Sequence, residues 1–399
     1  MKGRKVIVGV TGGIAAYKAA ELVRLLVKAG AVTKVAMTRH ATKFITPLTL
    51  ETLSGSRVVV DMWDPETHPL DHITWGQDCD LIIIAPATAN FIGKMAHGIA
   101  DDFLSTVVIA ATARVLVCPS MNTQMYLSQA VQENLQTLKA RGCAIMEPGS
   151  GELACHTEGP GRLPEPEEIV EEASMLLSKQ DLSGLRILVT AGATLEPLDP
   201  VRYMSNRSSG KMGYALARAA RTRGAKVTLV SGPTALKPPR DVALCHVKTA
   251  EEMRRAVLAE CGQYDVIIKA AAVLDWRPKE TAEHKIKKGR GVQTLELVEN
   301  PDILAELGCS RGNNRCLLVG FAAETQDLIA NAQEKLKKKN LDLIVANDVS
   351  REDAGFEADT NAVKLVYRDG RMEEMPLMTK EEVADQLLDR IKILWEKAS

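Results

Sequence analysis

The chain alternates between short apolar runs and longer amphipathic stretches, and it does so twice. In "KVIVGVTGGIAAYKAAELVRLLVKAGAVTKVAMT", Lys5 to Thr38, an apolar run gives way to glycines. Apolar positions at helical spacing follow and stop at Gly30, and a second apolar run comes next. That order predicts a buried strand, a tight turn, an amphipathic helix and another strand. The grammar returns in "RILVTAGATLEPLDPVRYMSNRSSGKMGYALARAARTRGAKVTLVSGP", now with a long insertion before a helix that stops at Gly224.

Elsewhere the apolar runs do not alternate with polar residues. Leu81 to Ala85, Val115 to Val117, Val266 to Ile268 and Leu341 to Ala346 read as parallel strands covered on both faces. The expected fold is α/β, with two doubly wound, mainly parallel-sheet domains. Pro164 to Leu177 reads as the closing helix of the first, and the polar "SKQDLSGL" as a linker. The expected domains are therefore 1–180 and 181–399. Alternation around Asp369-Gly370 predicts a hairpin that adds antiparallel strands to the second domain, and a last helix is expected from Lys380 to Lys397.

Composition narrows the classes. With 399 residues, 46% hydrophobic and 25% charged, the chain can bury two large cores. A net charge of -1 and 4% aromatic residues leave no electrostatic footprint for nucleic acid or an anionic membrane, so the expected partners are small molecules. The apolar start is interrupted by Gly12, Gly13 and Lys18, which predicts neither a signal core nor a span and places the protein in the cytoplasm. The eight cysteines form no C-x-x-C pair, which argues against a zinc site. Cys79, Cys118 and Cys316, in or beside apolar runs, read as reduced core residues.

Candidate chemistry gathers after the strands. The first turn, Gly9 to Ala15, is not G-x-G-x-x-G, but glycines before a helix let backbone N–H groups approach an anion. The third and fourth long strands end in "APATANF" and "CPSMNTQMY". Ligands collect at the carboxyl ends of parallel strands, so Pro86, Thr88, Asn90, Ser120, Met121 and Asn122 should face one crevice with Gly12 and Gly13. His72 is a candidate proton carrier, with His68 and His97 as competitors. Cys155 stands in the glycine- and proline-rich loop "SGELACHTEGPGRLPEP", a place suited to a lid. In the second half, "SNRSSGKMG" fails as a P-loop, because that motif needs glycine at Ser205 and a hydroxyl at Met212. What remains suits an anion ahead of a helix, with Asp275 and the lysines of "HKIKKGRG" as a second cluster.

The segments Pro86 to Phe91 and Pro119 to Tyr126 resemble the P-A-S-A-N-T and P-x-M-N-x-x-M-W marks of homo-oligomeric flavin-containing cysteine decarboxylases, departing from them at Thr88, Phe91 and Tyr126. "ACHTEGPGRL" resembles the flap of members that decarboxylate phosphopantothenoylcysteine, with departures at His156, Thr157 and Leu163. This resemblance implies a flavodoxin-like domain binding FMN through Gly12, Gly13, Ile14, Thr38, Pro86, Thr88, Asn90, Ser120 and Met121. It makes His72 the base or proton shuttle, Asn122 the holder of the substrate carboxylate or amide, and Cys155 the acid that protonates an enethiol. The flavin is needed as an oxidant: only after the thiol carbon becomes a thioaldehyde can the electrons left by CO2 be accommodated.

The second half resembles phosphopantothenate-cysteine ligase through "EPLDPVRYMSNRSSGKMG", "AAAVLDWRP", "KIKK", "NPDIL", "VGFAAET" and "LDLIVANDVS", with departures at Ala193 and Leu195. Here the implied reaction uses CTP and Mg2+ to form an acyl-cytidylate that cysteine attacks. Lys285 is the implied catalytic lysine, Asn206 the residue acting on the acyl-cytidylate, and Asp275 a nucleotide and metal contact. Further implied CTP contacts are Ala271, Pro301, Asp302, Ile303, Leu304, Phe321, Lys335 and Lys339, and Arg202 and Lys211 would meet the substrate phosphate. The two halves in this order resemble bacterial bifunctional coenzyme A biosynthesis flavoproteins. That likeness implies a homo-oligomer with trimeric first domains and dimeric second domains, up to a dodecamer. A non-catalytic FMN-binding regulator is the alternative, and a nicotinamide dehydrogenase is disfavoured by the glycine spacing.

Overall fold

The unbroken apolar runs form strands whose alternate side chains enter two different cores. The computed structural model describes residues 1–152, 158–287, 294–311, 315–324, 328–348 and 358–398. The chain divides into two units, Met1–Ser178 and Lys179–Ser399.

Unit 1 is built on β1 (Lys5–Val10), β2 (Val32–Met37), β3 (Val58–Val59), β4 (Leu81–Ala87), β5 (Arg114–Pro119) and β6 (Ala144–Ile145). These make one sheet in the order β3-β2-β1-β4-β5-β6, with every pair parallel. Its helices are α1 (Lys18–Lys28), α2 (Pro47–Ser54), α3 (Asp71–Gln77), α4 (Ala89–His97), α5 (Phe103–Ala110), α6 (Thr123–Leu127), α7 (Gln129–Ala140) and α8 (Pro166–Leu177). Along β1, Val6, Val8 and Val10 pack with α1, α2 and α8, while Ile7 packs with α3, α4, α5 and α7 on the opposite face. Covering both faces is what permits an all-apolar strand, and each fully buried Val or Ile side chain contributes about 1.5–3 kcal/mol. A separate antiparallel pair, β7 (Gly149–Glu152) with β8 (Glu158–Arg162), follows the sheet.

Unit 2 contains β9 (Arg186–Ala191), β10 (Leu195–Pro197), β11 (Tyr203–Ser205), β12 (Lys226–Ser231), β13 (Ala243–His246), β14 (Val266–Lys269), β15 (Trp276–Pro278), β16 (Leu297–Glu299), β17 (Leu317–Glu324), β18 (Leu343–Asp348), β19 (Thr360–Tyr367) and β20 (Met372–Thr379). The main sheet runs β13-β12-β9-β14-β17-β18-β19-β20. It is parallel through β18, and the hairpin expected around Asp369-Gly370 supplies the two antiparallel strands. Helices α9 (Lys211–Thr222) and α13 (Lys380–Ala398) cover one face. The other carries α10 (Ala250–Ala259), α11 (Ile303–Ser310) and α12 (Leu328–Lys338). The long insertion is not irregular: β10 and β11 pair within it, as β15 and β16 pair farther on.

Cys118 and Cys316 are buried, and Cys79 is partly so. Burial raises the Cys79 and Cys316 thiols, the latter to about 12. Among the described residues, no helix is long and apolar enough to cross a membrane.

Candidate functional site

Each main sheet changes direction beside its first strand, between β1 and β4 in unit 1 and between β9 and β14 in unit 2. Connections leaving such neighbours diverge, which opens a crevice at their carboxyl ends.

In unit 1 the crevice is held open by Thr11. Its buried hydroxyl donates to the Pro86 carbonyl at 2.7 Å and accepts from the Thr88 N–H at 3.0 Å. Two such bonds, about 1 kcal/mol each, hold the end of β1 against the end of β4. Gly12 follows where an added Cβ would stand 2.3 Å from Cβ of His40, so the turn passes that residue at a distance only glycine tolerates. On the far side, the Met121 N–H donates to the Gly161 carbonyl at 3.0 Å. A Cβ on Gly161 would meet the Met121 carbonyl oxygen at 2.2 Å.

The resulting cleft of about 790 Å³ is lined by Gly12, Gly13, Ile14, Thr88, Ser120, Met121 and Asn122. Thr38 and Asn90 instead line an adjoining cavity of about 630 Å³, which shares Gly12 and Thr88 with the first. Pro86 lies in the buried end of β4, with its carbonyl taken by Thr11. Asn122 is the N-cap of α6, its side-chain oxygen accepting from the Gln124 N–H at 2.8 Å. His72 stands in the first turn of α3, half-buried, and lines neither cavity. Cys155 and His156 lie outside the described residues.

Two cations of this cleft escaped sequence reasoning. Lys18 and Arg162 both line it and both pair with Glu165, at 3.0 and 3.7 Å. Two of the three departures from the decarboxylase marks have internal explanations: Phe91 is buried in the core, and the Tyr126 hydroxyl donates to Glu147 at 2.8 Å. Burial and that carboxylate push the tyrosine up to about 12. A cleft of this size, with small residues, hydroxyls and two cations on its wall, fits a flat phosphate-bearing cofactor.

In unit 2 the loop after β14 is held by a ring of hydrogen bonds. The Thr190 hydroxyl accepts from the Ala271 N–H at 3.1 Å, and the Thr194 hydroxyl from the Leu274 N–H at 3.2 Å. Asn206 donates to the Ala272 carbonyl at 3.2 Å, and Asn300 to the Leu274 carbonyl at 2.9 Å. Ala193, a family departure, bridges to Ala272 through its backbone, while Leu195 pairs in β10. Neither position depends on its side chain for these contacts.

Above this loop lies a cavity of about 390 Å³ that brings together Asn206, Lys211, Ala271, Asp275, Leu304, Phe321, Lys335 and Lys339. Lys269, Lys380, Asn347 and Asn361 also line it and were not singled out from sequence. The side-chain oxygens of Asn347 and Asn361 are buried without a hydrogen-bond partner. Burial, with Lys339 nearby, lowers Lys269 to about 8; burial and Lys211 lower Lys380. Asp302 caps α11 and pairs with Lys339 at 2.8 Å. Burial works against its charged form, yet the Lys339 hydrogen bond leaves it below the usual carboxylate range. Pro301 is half-buried ahead of that cap, and Ile303 packs into the core.

Arg202 and Lys285 lie outside this cavity lining. Lys285 is exposed, and its neighbour Ile286 is tied by its N–H to Asp199 at 3.1 Å and by its carbonyl to Arg202 at 2.8 Å. Asp199 had no sequence signal beyond its proline-flanked turn, because its contact with Ile286 spans 87 residues.

Two family models divide the chain: "Flavoprotein" matches residues 1–178, and "DNA/pantothenate metabolism flavoprotein C-terminal domain" matches residues 182–394. The coenzyme A biosynthesis bifunctional protein CoaBC of Bacillus subtilis (strain 168) is 48% identical over 400 residues, covering 99% of this chain and 98% of its own. The chain belongs to the bifunctional coenzyme A biosynthesis flavoprotein family. The CoaBC of Escherichia coli (strain K12), another member, is also 48% identical, covering 98% of this chain and 97% of its own. Among solved structures, the C-terminal domain of a CoaBC is 44% identical, covering 55% of this chain and 100% of that one, with a TM-score of 0.47. Membership in this family joins the two crevices in one chain and favours a catalytic over a regulatory reading.

Proposed function

We propose that the chain, residing in the cytoplasm, makes 4'-phosphopantetheine in two steps. Residues 181–399 ligate cysteine to 4'-phosphopantothenate with CTP, and residues 1–180 decarboxylate the product with FMN. The observation that carries this reading is the unit 2 cavity, where five lysines, Lys211, Lys269, Lys335, Lys339 and Lys380, surround Asn206 and Asp275. Such a density of cations in one cavity suits a substrate pair carrying a triphosphate and a phosphate monoester. The unsatisfied oxygens of Asn347 and Asn361 add acceptors that a ligand's N–H or O–H would complete.

In the ligation, the pantothenate carboxylate attacks the α-phosphorus of CTP and pyrophosphate leaves with the P–O electron pair. The cysteine amine then attacks the acyl carbon, the C–O bond to CMP breaks, and the amine loses a proton. Asn206, fixed by its bond to the Ala272 carbonyl, is placed to orient the acyl-cytidylate. Lys285 would meet growing phosphate charge, carried on a segment anchored at Ile286. Arg202 serves in this chain as one of those anchors. Among the described residues there is no group of three or more metal-binding side chains, so Mg2+ would be held by Asp275 together with nucleotide phosphates, a donor set usual for that ion.

In the decarboxylation, Gly12, Gly13, Ile14, Thr88, Ser120 and Met121 would hold FMN, with Thr38 and Asn90 reaching it from the adjoining cavity. Bound there, FMN supplies reversible oxidation of the thiol carbon. Asn122 would position the substrate carboxylate or amide, His72 would carry a proton, and Cys155 would return one. His72 lies apart from the cleft of its own chain, and Ile14 and Tyr17 are exposed at the cleft, which supports completion of the site in a homo-oligomer. The reading is tested by mass spectrometry of mixtures containing phosphopantothenate, cysteine, CTP and Mg2+. Phosphopantetheine, CMP and pyrophosphate are expected, and absence of any new thiol product rejects it.

A further inference from the structure

We propose that Lys269 is a further binding residue of the unit 2 cavity, its ammonium placed to meet the phosphate chain of the nucleotide. This rests on the reading of that cavity as a nucleotide-dependent ligase site. Lys269 is the last residue of β14, at the point where the sheet changes direction, and its strand is paired on both sides, with Thr190 of β9 and Gly320 of β17 as register partners. A side chain leaving the middle of a sheet has a fixed origin, unlike one on a loop. It lines the cavity and is only partly exposed.

Among the described residues no carboxylate lies within ion-pair distance of Lys269, whereas Lys339 pairs with Asp302 at 2.8 Å and Lys211 with Asp359 at 2.6 Å. The groups acting on Lys269 are Lys339 just after α12, Asp302 at the start of α11 and Asp275 after β14. Lys335 of α12, Lys211 of α9 and Lys380 of α13 complete the charged lining. Asp302 already serves both Lys339 and the Ala305 N–H, so its charge is shared. A partly desolvated ammonium beside another lysine is unfavourable until an anion arrives, and burial and Lys339 depress its proton affinity accordingly. A nucleotide phosphate entering the cavity removes that penalty. Packing alone would not require the charge, since a methionine has nearly the same length and would bury at less cost.

The test is calorimetric titration of the full chain with CTP and Mg2+, comparing wild type, Lys269→Met and Lys269→Arg, with Lys269→Gln in place of the methionine variant if that one does not fold. Loss of the charge is expected to weaken CTP binding about tenfold, and the arginine variant to recover most of it. Equal affinity in wild type and the neutral variant overturns the inference alone. So does equal weakening by methionine and arginine, which would mark a packing role. A wild-type chain that binds no CTP overturns the ligase reading, and this inference with it.

Discussion

Arg202 donates through Nη2 to both the Asp199 carboxylate, at 2.6 Å, and the Ile286 carbonyl, at 2.8 Å. Asp199 in turn accepts from the backbone N–H groups of Val201, Arg202 and Ile286. One carboxylate and one guanidinium thus anchor the segment that carries Lys285. Replacing Arg202 with Met should slow ligation about tenfold by loosening Lys285. Decarboxylation of supplied phosphopantothenoylcysteine should be unchanged. Separate assays of pyrophosphate release and CO2 release check this, and an equal fall in both contradicts it.

The Arg223 hydrogen bond holds the Asp181 carboxyl down at about 2, against burial that works the other way, and Lys392 adds a second bond. Because the folded value is depressed, the stabilisation is present above the unfolded value near 3.8 and is lost as pH falls toward 2. Asp181→Asn should therefore cost about 1–2 kcal/mol at pH 7 and almost nothing at pH 2. Denaturant unfolding at both pH values measures the difference, and a cost independent of pH would contradict the electrostatic origin.

Much of this architecture was legible because it is local. Val6 to Val10 and Ile187 to Ala191 announce buried strands by composition, and the glycine turns after them mark where ligands collect. Gly12, Gly13, Thr88, Ser120 and Met121 therefore meet in one cleft as strand-end reasoning expects. The parts that were not legible depend on contacts between distant segments. Lys269 reads as the polar end of a strand until the fold sets it beside Lys339, 70 residues on. Asp199 reads as a turn residue until Ile286 is brought against it. His72 reads as a candidate from its register before β4, and no local pattern tells that it lines neither cavity of its own chain.

Gly12→Val should remove the flavin without removing the ligase. An added side chain there collides with His40 and disturbs the Thr11 bonds that hold the cleft open. The purified variant is expected to be colourless, with pyrophosphate release from CTP retained. A yellow variant would show that the turn is not part of the flavin site.

Cys155→Ala and Lys285→Gln should fail at different steps. The first is expected to accumulate an oxidised, decarboxylated thiol intermediate while ligating normally, and the second to decarboxylate supplied substrate while failing to ligate. Mass spectra of the two reaction mixtures distinguish these outcomes. Loss of both activities in either folded variant would contradict the division of labour between the halves.

The most direct measurement is the ratio of CO2 to pyrophosphate released from carboxyl-labelled cysteine, phosphopantothenate and CTP by the purified chain. Consecutive ligation and decarboxylation predict one CO2 for each pyrophosphate released by the wild-type chain. Pyrophosphate without CO2 in the wild type, or neither product with FMN and Mg2+ supplied, would contradict the proposed two-step function.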